Sequence, residues 1–242
     1  MDSGSILSVP PSQMTSDPSL QKLQALIQLV TESQTDDFFE LAKLAGLRPK
    51  EDFSGADLKW VDLRSAQLAK ANFINTHLSG ANLTNANLEE ARMIGAQLMS
   101  ATLTGANLNY AKLVNSNLLG ANLIGASLSS ADLTRANLTQ ADLSHVDLGR
   151  ANLTAAILER ANLGEANLSH ANLQRADLSR ADLSGASFYG ADLSNCDLRW
   201  ANLSATNLVG ATLTRAVFAE NPGISKEEAL ALQRRGAIFY VY

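Results

Sequence analysis

From Phe53 onward a large apolar residue recurs at every fifth position, through Leu58, Leu63, Leu68 and Phe73 to Leu213 and Phe218. All 34 such positions are filled: 29 by Leu, four by Phe (Phe53, Phe73, Phe188, Phe218) and one by Met93. Two residues earlier stands a small residue, Ala in 27 of the 34 repeats. The exceptions are Glu51 at the open end, then Val61, Thr76, Ser116, Val146, Cys196 and Thr206. After that first repeat nothing larger than Val is accepted, which is a steric ceiling.

A period of five fits neither regular element. On an α-helix five residues advance about 500°, which would smear the leucines around the surface. A continuous strand has period two, and five is odd. The small and large residues of one repeat are two apart, however, so a short extended segment points both inward. The remaining residues then turn the chain before the next segment. Turning repeatedly with one hand makes a coil, and coils stacked about 4.8 Å apart pair their backbone groups. Four repeats per coil stack residues 20 apart, which sets Phe53 over Phe73 and gathers Ile74, Ile94, Val114, Thr134 and Thr154 into one β-branched column. Columns of that kind suit paired strands. A coil of 15 would scatter both groups.

The triplets Ala81-Asn82-Leu83, Ala131-Asp132-Leu133 and Ala181-Asp182-Leu183 closely resemble the A(D/N)LXX motif of the pentapeptide-repeat family. The resemblance covers residues 51–220 and is similar in style to the long arrays abundant in cyanobacteria. It implies an all-β solenoid, a right-handed quadrilateral β-helix of about 8.5 coils and about 40 Å in length. Side number and handedness are implications of the family, since the period alone does not prove them.

The flanks read as helical caps on this solenoid. Residues 1–17 form a Ser/Pro-rich tail, expected to be disordered. A helical N-terminal cap is expected over 18–50, starting at Asp17-Pro18 with Leu20, Leu23, Ile27 and Val30 at helical spacing. Its second helix, from Thr35 or Asp36, carries Phe38, Phe39, Leu41 and Leu44 and stops at Gly46. Over 221–242 a capping box at Ser225 and Glu228 opens a helix through Ala229, Leu230 and Leu232 that Gly236 ends, and an extended tail follows. The N-terminal helices plug the end, recruit a partner, or do both.

Composition and charge narrow the function. Aromatic residues make up 5% of the chain and charged residues 18%, too few large side chains for a conventional globular core. Residues 53–218 carry 13 acids against 12 bases, which argues against electrostatic capture of nucleic acid or an anionic membrane. The single cysteine rules out an intrachain disulfide, and no signal peptide or spanning segment is read, so a cytoplasmic protein is expected.

No chemistry converges. His77, His145 and His170 fall in different columns and cannot gather around a metal. Cys196 occupies an inward small-residue slot and reads as a buried Ala substitute. Most Asn, Asp and Ser belong to the motif. No cofactor, metal or small-molecule substrate is expected, and the chain reads as non-catalytic.

Outward variation is more informative. Ile74, Ile94, Met99, Val114, Leu119 and Ile124 follow central residues of the early coils, whereas that position is mostly polar from 134 to 184. On adjacent sides of neighbouring coils they would form one exposed patch for a protein partner or self-association. Two competing readings stand beside this: such residues merely suit an outward strand, or an N-terminal segment covers them. Arg135, Arg175 and Arg215 share one corner, and Arg160 and Arg180 the next, with Asp132, Asp177, Glu159 and Asp182 interleaved. That line is either a charge-balanced edge or a docking stripe. The function expected is a protein-interaction scaffold or regulator. The alternative implied by the family is a DNA mimic that binds a type II topoisomerase, which the near-neutral repeats disfavour.

Overall fold

The computed structural model describes residues 53–240. The tail expected over 1–17 and the helices expected over 18–50 lie outside the described residues.

Each repeat is a single bridge residue followed by a turn. The bridges are all parallel and join a residue to the one 20 further on, from Asp57↔His77 to Asp197↔Val217. Four repeats therefore close one coil, and the solenoid has four sides. The first side carries Phe53, Phe73 and Met93, the second Leu58 and Leu78, the third Leu63 and Leu83, the fourth Leu68 and Leu88. First and third are opposite.

Inside, the central Leu, Phe and Met side chains are buried from Leu63 to Phe218, most of them at 0% exposure. Ala or another small residue fills the slot beside each. The rings of Phe53 and Phe73 stack with centroids 5.1 Å apart, as the 20-residue register requires.

Turn geometry follows from the backbone. In the repeat around Leu83, the amide of Ala86 donates to the carbonyl of Leu83 at 3.0 Å, closing a β-turn over Thr84 and Asn85. The second turn residue of every repeat, as at Asn85, has a positive φ, and the turn is of type II. Of these 34 residues 25 are not Gly, with φ between +47° and +63°. A left-handed residue with a side chain costs about 1–2 kcal/mol. The conformation persists because the same residue's amide is tied to the next coil, as Asn85 is to the carbonyl of Thr104 at 2.9 Å.

Three elements end the array: β1 (Val217–Phe218), α1 (Lys226–Arg234) and β2 (Ile238–Phe239). Helix α1 opens with the expected capping box, the amide of Glu228 donating to Ser225 Oγ and the amide of Ser225 to Glu228 Oε2. Gly236 follows it at φ +94°. Of its leucines, Leu232 is buried and Leu230 is exposed. Strand β2 pairs in parallel with β1, Phe218 opposite Phe239, and their rings stack at 4.8 Å. The chain thus adds one more level to the second side, offset by 21 residues rather than 20. Backbone groups of the last coil are also met: Arg235 donates to the carbonyls of Leu208 and Ala211, and the amide of Leu203 donates to Pro222. Gly223 lies so close to the backbone of Ser204 that a Cβ would fall 2.3 Å from its nitrogen.

Polar residues in the small slot need a partner there. Thr76, Cys196 and Thr206 donate to the carbonyls of Phe53, Leu173 and Leu183, each 23 residues earlier. Ser116 Oγ is buried without one. Replacing Ser116 by Ala is expected to stabilise the fold by about 1 kcal/mol, since a buried unpaired hydroxyl costs about 1–3 kcal/mol; a urea midpoint at or below wild type would contradict this. By contrast, Leu138→Ala, at a site of 0% exposure, is expected to lose about 2–5 kcal/mol in the same titration.

Candidate interaction surface

The exterior is built on one slot, the residue just before each central Leu. Every Asp or Asn there, among the described residues, accepts a hydrogen bond through Oδ1 from the amide two residues on, at 2.9–3.4 Å. That amide is the first turn residue, the N–H that neither the turn nor the neighbouring coil pairs in the Leu83 repeat. These side chains also form ladders between coils, such as Asn162 Nδ2 to Asp142 Oδ1 at 3.1 Å and Asn167 Nδ2 to Asp147 Oδ1 at 2.8 Å.

Of the six apolar residues expected to form one patch, Ile74, Ile94 and Val114 stack on consecutive coils of the first side. Met99 and Leu119 stack on the second, and Ile124 stands on the third. Met99 is 39% exposed, and the other five are half-buried. The structure brings together the trio and the pair across one corner, whereas Ile124 faces away from the trio. A flat partner cannot touch all six. Other large apolar residues are more open: Trp60 at 77%, with its ring lying on Gly80, and Val209 at 64% above Tyr189.

Ion pairs divide the arginine lines. Glu159 meets both Arg160 and Arg180, at 3.6 and 3.3 Å. Arg180 and Arg199 also approach the Trp200 ring at 4.9 and 5.2 Å. Arg135, Arg175 and Arg215 enter no ion pair among the described residues.

Surface depressions are open grooves, one of about 450 Å³ along Ser144, Glu165 and Ser184 on the third side. His145 meets Glu165 there at 3.3 Å, and His170 packs edge-on against Tyr189. Among the described residues no group of three or more His, Cys, Asp or Glu is placed to hold a metal, and no helix is long and apolar enough to cross a membrane.

The family model for pentapeptide repeats matches residues 66–105, 101–140, 131–167, 161–199 and 196–221 in succession. The chain belongs to the pentapeptide-repeat family. Membership implies the right-handed winding of the quadrilateral β-helix, in line with the general right-handedness of parallel crossovers. HetL, a pentapeptide repeat protein involved in heterocyst differentiation regulation in the cyanobacterium Nostoc, is 43% identical over 65% of this chain and 78% of its own, with a TM-score of 0.37. Another Nostoc pentapeptide repeat protein, alr5209, is 37% identical over 45% of this chain and 84% of its own, with a TM-score of 0.29. The plasmid-mediated fluoroquinolone resistance protein QnrB1 is 18% identical over 77% and 92%, with a TM-score of 0.48. No curated protein matches the chain.

In this pentapeptide-repeat protein Cys196 sits where Ala usually does, at 0% exposure. Burial pushes its thiol up to about 12 from an ordinary 9.0, the nearby Asp192, Asp197 and Asp177 adding to the rise. The thiol is therefore neutral and unreactive near pH 7. An acid whose folded value is raised contributes stability that is full below its unfolded value and is lost as pH climbs toward the folded one. Wild type is expected to lose stability relative to Cys196→Ala as pH rises from 9.0 toward about 12. A difference in denaturation midpoint that stays flat over that window would show that the thiol is not shielded.

Proposed function

We propose that the chain is a non-catalytic protein-interaction scaffold or regulator, cytoplasmic and of the cyanobacterial kind. One observation carries the reading: the interior is filled at every level by side chains of near-zero exposure, so variation between repeats is confined to the outer surface. Partners then have to be recognised from outside, by convex sides that, among the described residues, offer side chains and open grooves. The likeness to HetL, a protein involved in regulation, supports the same class. The segment 221–240 serves as the closing cap of the array, because it occupies backbone groups of the last coil that would otherwise be an open edge.

The docking surface of this proposal is the corner between first and second sides, where Ile94, Met99, Val114 and Leu119 lie on neighbouring coils. A DNA-mimicking rod would need acidic columns, and among the described residues the first side carries five bases against two acids.

Met99→Thr combined with Leu119→Thr is expected to leave circular dichroism unchanged and the urea midpoint close to wild type, because both side chains point outward and Thr139 already stands in this column. Recovery of a cross-linked partner by the tagged full chain, or its self-association in sedimentation, is expected to fall about tenfold or more. Unaltered recovery and sedimentation in a folded variant would remove this corner from the function.

A further inference from the structure

The near-neutral rod is polarised across its width. Among the described residues, the first side carries Arg92, Lys112, Arg135, Arg175 and Arg215 against Asp132 and Asp192. The opposite third side has Arg64 against Asp62, Asp142, Glu165 and Asp182. Averaged over the repeats, the two imbalances cancel.

The first-side bases are also unengaged. Lys59, Arg64, Lys70, Arg160, Arg180 and Arg199 each meet a carboxylate. Among the described residues none of the five first-side bases does, and all five are exposed. The two acids beside them are occupied: Asp132 accepts from Thr134 and Asn152, Asp192 from Ser194 and Gln174. The corner column of Arg135, Arg175 and Arg215 contains no acid at any level; its other members are Gly55, Asn75, Gly95, Asn115, Ala155 and Asn195.

Arg92 and Lys112 add an independent sign. Among the described residues they are the only Lys or Arg in the slot where Asp or Asn closes the turn. Neither can accept from the following turn amide, at Ile94 or Val114. They are also bridged to each other on adjacent coils, and like charges on paired positions repel. Two broken local rules at one place, with no ion pair among the described residues to offset them, mark a surface kept for a partner.

We propose that the first side docks an acidic amphipathic α-helix of a protein partner, lying along the rod axis. This rests on the scaffold reading and narrows it to a partner chemistry. The corner arginines are two coils apart, about 10 Å, and a helix repeats a surface position every seven residues, about 10.5 Å. Acids at heptad spacing would therefore meet Arg135, Arg175 and Arg215 in turn, within the reach of their flexible stems. Guanidinium suits such carboxylates because it can hold both oxygens. From Arg92 to Arg215 is about 30 Å, the length of a helix of about 20 residues. Ile94 and Val114, with Ile74 one coil further, stand between the slot bases and the corner, which gives one end of the helix an apolar strip to cover, and the column continues as Thr134, Thr154, Gln174, Ser194 and Thr214 beside the corner arginines. Duplex DNA would bring a charge every ~1.7 Å, far denser than five cations over that length.

The test is fluorescence anisotropy of a labelled peptide of about 21 residues, helical, with Glu at heptad spacing beside a Leu stripe, titrated with the full chain at about 50 mM salt. Arg135→Glu with Arg175→Glu and Arg215→Glu is expected to weaken binding at least about tenfold, and Arg150→Glu, an exposed unpaired base on the fourth side, to leave it unchanged. Arg92→Asn with Lys112→Asn should weaken binding while raising the urea midpoint, because the turn bonds return. Equal binding of a peptide with scrambled Glu positions, equal loss in the Arg150 variant, or displacement by a duplex of about 20 base pairs at equal affinity would each overturn the proposal. A peptide that fails to bind while the Met99 and Leu119 corner still captures a partner would sink the helix proposal alone.

Discussion

Each repeat must bend the chain through a corner without leaving a backbone N–H unpaired, and the rest of the molecule answers to that requirement. In the repeat around Leu83, four of five amides are satisfied by backbone: Asn82 to Val61, Leu83 to Thr102, Asn85 to Thr104 and Ala86 to Leu83. The fifth, that of Thr84, is taken by Asn82 Oδ1 at 3.2 Å. Pairing with coils on both sides fixes the 20-residue register. The register stacks like on like, so the core residue, the small slot and the corner each become a column. Motif letters are thus the terms of a hydrogen-bond account.

Much of the fold was legible because its strongest signals are repeated. The Leu column and the ceiling on the small slot define the interior, and the stack of Phe53 on Phe73 and the capping box at Ser225 and Glu228 could be read in place. What was not legible depends on neighbours distant in sequence. Asn and Asp before each Leu read only as members of the motif, and the structure shows that their carboxyl or amide oxygen closes the turn; the fixed spacing to the turn was the signal available. The hydroxyl partners 23 residues away, and the 21-residue step from Phe218 to Phe239, require coordinates. The six apolar residues read as one patch because they fall on adjacent sides of neighbouring coils. Placed on a prism they divide among three sides, and Ile124 turns away from Ile74, Ile94 and Val114.

Charge shows the same loss of information on averaging. A count over residues 53–218 gives near-neutrality, and near-neutrality argues against electrostatic recognition. A rod with four separate sides does not present its average to anything. Interactions beyond about 10 Å are screened at ordinary ionic strength, so a partner lying on one side responds to that side. Pairing sharpens the distinction further. Arg160 and Arg180 share Glu159 and form a balanced edge, whereas the line through Arg135, Arg175 and Arg215, equally regular in sequence, has no carboxylate on it.

In a solenoid whose core and turns are specified many times over, stability can absorb local departures that a small globular domain could not. Contacts run between neighbouring levels, so a lost turn bond at Ile94 or Val114 weakens its surroundings without threatening the array. The outer slots are therefore the least constrained part of this chain, and a cation there is tolerated without being structurally required. Two cations stacked in that slot share one side with an apolar column and with three corner arginines that meet no carboxylate among the described residues, because the register puts them there. The regularity that makes the fold simple is also what turns scattered substitutions into a continuous surface.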